Sequence, residues 1–182
     1  MTERMAELER STRETKISIK LNIDGSGKFD VECDVPFLKH MIETFARYGS
    51  FDIVMKASGN DDHHLVEDAA ITLGTVFKKA IDGRSVERMS TVVIPMDDAL
   101  IMVSVDIIDR PFAEIDCPDT LYHHFLRSFA MSSGITLHVV MIRGFDDHHV
   151  VEATFKALGT ALKNAVTPRK TELSTKDKPK VK

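Results

Sequence analysis

One stretch of 21 residues occurs twice, and any fold for this chain must accommodate that repetition. Residues 61–81 read DDHHLVEDAAITLGTVFKKAI, and residues 146–166 read DDHHVVEATFKALGTALKNAV. Aligned without a gap at an offset of 85, the copies share Asp-Asp-His-His, the Val and Glu that follow, Leu-Gly-Thr, a Lys and an Ala. Repetition on this scale marks a duplicated structural unit. The shared positions also carry the chemistry, because four histidines and two glutamates at matching places are hard to explain as packing.

The flanking segments repeat as well. Ala6–Thr12 reads as a short strand, and Lys16–Asp24 alternates Ile17, Ile19, Leu21 and Ile23 on one face, a half-buried strand pattern. An Asp-Gly-Ser-Gly turn leads into Lys28–Asp34, where Phe29, Val31 and Cys33 alternate. Asp34 is a plausible N-cap and Pro36 suits the first turn of a helix to about Arg47, with Phe37, Leu38, Met41, Ile42 and Phe45 inward. Phe51–Ala57 reads as a strand, and the first 21-mer supplies a second helix. After a turn at Asp82-Gly83 the order returns: strands at Met89–Pro95, Ala99–Asp106 and Pro111–Asp116, a helix opened by Pro118, a strand at Ile135–Ile142 and the second 21-mer. The expectation is an α+β fold of two β-β-β-α-β-α units, with mixed sheets covered by helices. Residues 1–83 form the first half and 84–166 the second, together one compact domain, and 167–182 form a basic tail.

Charge bears on partners. The net charge is −4, yet the last 16 residues hold six Lys or Arg against two acids, so the body before them is more acidic still. An acidic body argues against nucleic acid as the main partner. The absence of an 18-residue apolar run argues against a membrane span. A charged start, MTERMAELER, reads unlike a signal peptide. Cys33 and Cys117 are isolated and suit a reducing cytoplasm as ordinary, partly buried thiols. From Thr167 the composition predicts a solvated or disordered tail.

Within each 21-mer the two histidines fall in the first turn of the helix. His63 and Glu67 are four apart and share one face, where they can grip one metal ion. His64 is rotated by about 100° and needs a different partner. The second copy repeats this with His148 and Glu152, while His149 points away. FLKHMIETFA and YHHFLRSFA align at an offset of 84 and set His40 opposite His124, two further ligand candidates. Two ions, each held by a His–Glu pair plus histidines from other elements, is the economical reading. Imidazole and carboxylate without thiolate suit Mn, Fe, Co, Zn or Ni. Asp61, Asp62, Asp146 and Asp147 are placed to cap their helices or orient histidines. His138, in mid-strand, is expected in the core, and His123 at the surface or behind the ligands.

The motifs RSTRET (10–15), PFLKHM (36–41), DDHHLVED (61–68), IPMDDAL (94–100), DRPF (109–112), HFLRSFA (124–130), GITLHV (134–139), DDHHVVEATFKA (146–157) and LSTK (173–176) resemble those of the imidazoleglycerol-phosphate dehydratase family. The resemblance spans almost the whole chain. It implies a cytoplasmic enzyme of histidine biosynthesis, with two Mn2+ per active site at subunit interfaces of a 24-subunit assembly built from trimers. It also implies one ion held by His40, His64, His148 and Glu152, and the other by His63, Glu67, His124 and His149. Catalytic or substrate contacts would come from Glu14, Glu67, Glu152 and Lys156, with Arg88, Arg110, Ser174, Thr175 and Lys176 around the phosphate. The chain departs from the family pattern at Lys39, where an aspartate is usual, and in two shortened loops.

The reaction so implied removes water from imidazole glycerol phosphate to give imidazole acetol phosphate. The proton lost is not next to a carbonyl, so the imidazole ring must take the electrons, as an imidazolate that passes to a diazafulvene. Two rivals differ in class. A two-metal phosphatase would release inorganic phosphate, and a non-catalytic metal-assembled shell protein would turn over no imidazole alcohol.

Overall fold

A computed structural model describes residues 4–81 and 84–170, and the repeat governs all of it. The first half contains β1 (Met5–Ser11), β2 (Thr15–Asn22), β3 (Phe29–Cys33), α1 (Pro36–Gly49), β4 (Asp52–Gly59) and α2 (Asp62–Ile81). The second contains β5 (Met89–Met96), β6 (Ala99–Ile107), β7 (Phe112–Ile115), α3 (Thr120–Ser133), β8 (Ile135–Arg143) and α4 (Asp147–Ala165). The expected order therefore appears twice. Each half makes a four-stranded mixed sheet, ordered β1-β2-β4-β3 and β5-β6-β8-β7. In each, only the last pair is parallel, β3 with β4 and β7 with β8.

Period-two alternation decides which face of each sheet is covered. Ile17, Ile19 and Leu21 of β2 are buried, as are Ile101, Val103 and Val105 of β6 at the matching positions. Lys16 and Lys20 point to the other face and are exposed. The apolar faces receive the helices: α2 and α1 lie on the first sheet, α3 and α4 on the second. Across the middle, α1 packs on α4 and α2 on α3. Each half thus covers its helices with those of the other half, and one continuous core draws on both. Among the described residues no helix is long and apolar enough to cross a membrane.

The shared Leu-Gly-Thr explains how closely these helices approach. A Cβ on Gly74 would lie 2.7 Å from the Phe129 carbonyl oxygen of α3, and one on Gly159 would lie 2.8 Å from that of Phe45 in α1. Phe45 and Phe129 are themselves repeat partners. Neither glycine can be exchanged without moving the facing backbone.

The two offsets, 84 for the first helices and 85 for the 21-mers, also have a structural cause. Leu100 pairs with Arg143 and Ile101 with Met141, so Ile142 is an extra residue in β8. This bulge inserts one residue just ahead of the second Asp-Asp-His-His, the kind of local bend often found beside functional sites.

Four local expectations are corrected. Asp34 does not cap α1; the preceding residue is Val35, without a side-chain cap, and Asp34 instead accepts a hydrogen bond from Gly59 N–H at 3.1 Å. Helix α3 opens at Thr120, capped by Asp119, which accepts from the amides of Leu121 and Tyr122, so Pro118 lies outside it. His138 is not in the core. Its strand position faces out, where it is exposed and stacks 5.5 Å from Phe112. The tail does not start free at Thr167: Pro168 bridges to Val86, and Arg169 pairs with Glu87 at 2.7 Å. The Asp82-Gly83 turn lies outside the described residues.

Candidate metal centre

Helix capping sets the direction of each histidine pair. Asp61 accepts from the His64 amide at 2.9 Å, and Asp146 from the His148 amide at 2.8 Å, which satisfies free N–H groups of each first turn. The adjacent histidines then diverge. Their ring centroids are 5.9 Å apart at 75° in the first pair and 6.1 Å apart at 86° in the second. Neighbouring histidines therefore address different places, as the helical rotation requires.

One cluster forms where α1 meets α4. Glu152 Oε2 is 3.3 Å from His40 Nε2 and 3.6 Å from His148 Nε2, while its Oε1 takes Lys156 Nζ at 2.9 Å. The Glu152 side chain is only 11% exposed, whereas His40 and His148 are about half exposed. Burial pushes the Glu152 carboxyl up, but bonds from Lys156 and His40 outweigh it and leave the acid lowered. Lys156 also lies 5.6 Å from the Tyr48 ring centroid. Phe37, half-buried rather than fully inward, stacks against His148 at 4.7 Å.

A second cluster forms where α2 meets α3. His63 and His124 lie with ring centroids 5.5 Å apart, and half-buried Glu67 follows His63 by one helical turn. Here the copies differ, for among the described residues the His148–Glu152 ion pair has no counterpart between His63 and Glu67. His123 is partly buried, 5.9 Å from His124.

The remaining histidine of each pair is held by a strand turn. His64 Nδ1 is 3.0 Å from Glu14 Oε2, between β1 and β2. His149 Nδ1 is 2.6 Å from Asp98 Oδ1, between β5 and β6. Neither joins the cluster of its repeat mate.

The arginines behave differently from one another. Arg88, at a φ of 71°, has its Nε 2.6 Å from Asp106 Oδ1 in a bent ion pair, with a hydrogen bond from Nη2 to Oδ2 at 3.3 Å. Arg110 is exposed, with no side-chain partner among the described residues. Ser174, Thr175 and Lys176 lie outside the described residues. Lys39 makes a long surface pair with Glu43 at 3.9 Å. Burial pushes the Cys117 thiol up to about 12 and raises Cys33 too, so neither is an activated nucleophile.

This arrangement can be compared with known proteins. The family model "Imidazoleglycerol-phosphate dehydratase" matches residues 33–162. The chain belongs to the imidazoleglycerol-phosphate dehydratase family. The family member of Thermoanaerobacter pseudethanolicus is 47% identical over 177 residues, covering 90% of this chain and 91% of that one. That of Dictyoglomus thermophilum is 45% identical over 183 residues, covering 96% and 98%. Among solved structures, the family enzyme from Pyrococcus furiosus in complex with (S)-C348 superposes with a TM-score of 0.82 at 33% identity, covering 92% of this chain and 98% of that one. The Staphylococcus aureus enzyme gives 0.82 at 29%, covering 91% and 99%.

Family membership leaves the donor chemistry to be judged on this chain. Among the described residues no group of three or more His, Cys, Asp or Glu side chains is arranged to hold an ion. The donors nevertheless fit a divalent metal of the first transition row, since two imidazole nitrogens face one carboxylate oxygen and burial keeps both cysteines protonated. Sequence reasoning missed Asp98 as a partner of His149 and Asp106 as the partner of Arg88. A signal for the first was present: Asp98 stands at an offset of 84 from Glu14.

Proposed function

We propose that this chain is a carbon–oxygen lyase of histidine biosynthesis, removing water from imidazole glycerol phosphate to give imidazole acetol phosphate. The observation that carries the reading is Glu152, a nearly buried carboxylate shared by His40, His148 and Lys156 at the α1–α4 contact. Family membership supports assigning that cluster to this class of reaction.

The residues would hold two Mn2+: one by His40, His64, His148 and Glu152, the other by His63, Glu67, His124 and His149. Three members of each set lie on one helix pair of this chain, α1–α4 or α2–α3, and the fourth is turned toward a strand turn. This supports sites completed by neighbouring chains, in a 24-subunit assembly built from trimers. Exposed Val93, Val140, Met141, Ile142 and Phe145 give the second sheet and its edge an apolar surface suited to such contacts. A cytoplasmic location accords with the two unpaired thiols.

When bound, the ions supply Lewis-acid stabilisation of negative charge on the substrate's imidazole. The chain's own groups do the rest. Glu14, exposed on its turn beside His64, is the group to which we assign the proton on the carbon adjacent to the one that loses its hydroxyl. Lys156 compensates the Glu152 charge, so this carboxylate stays ionised and available as a donor. Arg110, whose side chain has no partner among the described residues, would offer its guanidinium to the phosphate, and Arg88 one oriented by Asp106. Ser174, Thr175 and Lys176 would supply further contacts to the substrate. Net loss of one C–H proton and one hydroxide gives an enol, which tautomerises to the ketone.

The test is turnover of imidazole glycerol phosphate by chelator-stripped protein refilled with Mn2+. We expect a ketone product with phosphate retained. Release of inorganic phosphate, or no turnover at full metal loading, overturns the reading.

A further inference from the structure

The two strand turns that meet the histidines occupy the same place in the repeat, yet they are built differently. Glu14 immediately precedes the first residue of β2, and Asp98 immediately precedes that of β6. Each puts a carboxylate oxygen on the Nδ1 atom of the second histidine of its pair. The first contact is loose. Glu14 is 53% exposed, its oxygen stands 3.0 Å from His64, and Asp61 also lies 3.7 Å from the same nitrogen. In the second, His149 also has a further carboxylate nearby, Asp97 Oδ2 at 3.6 Å from Nε2, but its main partner is fixed from both sides. While Oδ1 of Asp98 meets His149 at 2.6 Å, its Oδ2 accepts from the amides of Phe145 at 2.5 Å and Asp146 at 3.1 Å. The same carboxylate therefore ties down the loop that leads into α4, next to the bulge at Ile142.

An imidazole whose Nδ1–H is donated to a carboxylate has its remaining lone pair on Nε2, and such a partner fixes both tautomer and ring orientation of a metal-binding histidine. We propose that Asp98 is a positioning residue for His149: it fixes the ring as the Nδ1–H tautomer, presents Nε2 as the donor, and braces the Phe145–Asp146 loop. Its repeat counterpart Glu14, without that brace, stays free to leave His64 and serve the substrate. The duplicated carboxylate has divided into a fixed member and a movable one. The proposal rests on the reading of His149 as a ligand.

The variants that separate these functions are isosteric. In Asp98→Asn, the amide oxygen can still accept from Phe145 and Asp146, but its NH2 faces Nδ1 and drives the ring proton to Nε2, which removes the donor lone pair. Mn2+ binding is measured by equilibrium dialysis on the assembled full-length protein after chelator stripping, for wild type, Asp98→Asn, Asp98→Glu and His149→Ala. We expect Asp98→Asn to keep one of the two classes of ion at wild-type affinity and to bind the other about 10–100-fold more weakly. Asp98→Glu should recover most of that loss, as the longer Glu14 reaches its own histidine in the first half. If His149→Ala loses one class while Asp98→Asn keeps both, Asp98 has no positioning role and the ligand reading stands. If His149→Ala keeps both classes at wild-type affinity, the ligand reading itself falls. Equal weakening of both classes in Asp98→Asn, or no recovery in Asp98→Glu, makes Asp98 a loop brace alone and overturns the proposal.

Discussion

The two halves place the same histidines on the same helical turns but hold them unequally. In the second half the first two turns of α4 are crowded with contacts: Glu152 binds three partners, and Asp98 holds both His149 and the preceding loop. In the first half, Glu67 has no such ion pair among the described residues, and His64 shares exposed Glu14 and Asp61. Equal side chains have thus been given unequal supports. Duplication provides the same side chains twice, and differences at neighbouring positions decide how many contacts hold each set.

The strongest way to break this comparison is to remove one histidine from each helix pair in turn. His148→Ala and His63→Ala should each lower turnover by on the order of 10^3-fold, because stabilisation worth several kcal/mol is lost whichever centre is emptied. Steady-state assays alongside metal analysis test this. A variant that keeps full metal content and turnover would end the two-centre reading. Next in size are the two helix contacts. Gly74→Ala and Gly159→Ala should each cost about 1–3 kcal/mol, since the new methyl meets facing backbone rather than a flexible side chain. The losses should be similar in denaturant unfolding, and a large difference would show that the halves are not packed alike.

Smaller effects sharpen the contrast. Leu38 and Tyr122 fill matching core positions, but the Tyr122 hydroxyl is buried without a hydrogen-bond partner among the described residues. Tyr122→Phe should therefore raise stability by about 1 kcal/mol, read as a higher unfolding midpoint. Ser50 and Gly134 follow their helices at matching sites, both left-handed, with φ of 53° and 73°. Ser50→Gly should gain at most about 1 kcal/mol from relief of that strain, offset by loss of the 2.7 Å bond from Lys163. A net loss would show that this bond outweighs the strain.

Most of the architecture was legible because it rests on periodicities that sequence displays directly. Ile17, Ile19 and Leu21 announce a half-buried strand, and the 21-mer announces a helix with a chemical first turn. What escaped depended on contacts distant along the chain. Asp34 looked like a cap because Pro36 follows it, but Gly59 from the neighbouring strand takes its carboxylate. His138 looked like a core residue because apolar residues flank it, although strand alternation turns it outward. At the candidate site the clusters of His40, His148 and Glu152 and of His63 and His124 follow from the matched helices, while the grip of Asp98 on His149 could be found only by extending the repeat into the strand turns. The bulge at Ile142 was visible as a change of offset, though nothing local names the extra residue.

The glycine contacts bear on ancestry. Because α2 is seated on α3 and α4 on α1, a chain half this long would keep the sheet side of its helices covered but leave the opposite side open to water. Such an ancestor could cover them only by pairing with a copy of itself, Gly-to-backbone in both directions, which is the symmetry of a homodimer. The present chain reads as that dimer fused end to end. Its two halves differ in their turns and carboxylates, while each sets a glycine against the facing backbone of the other.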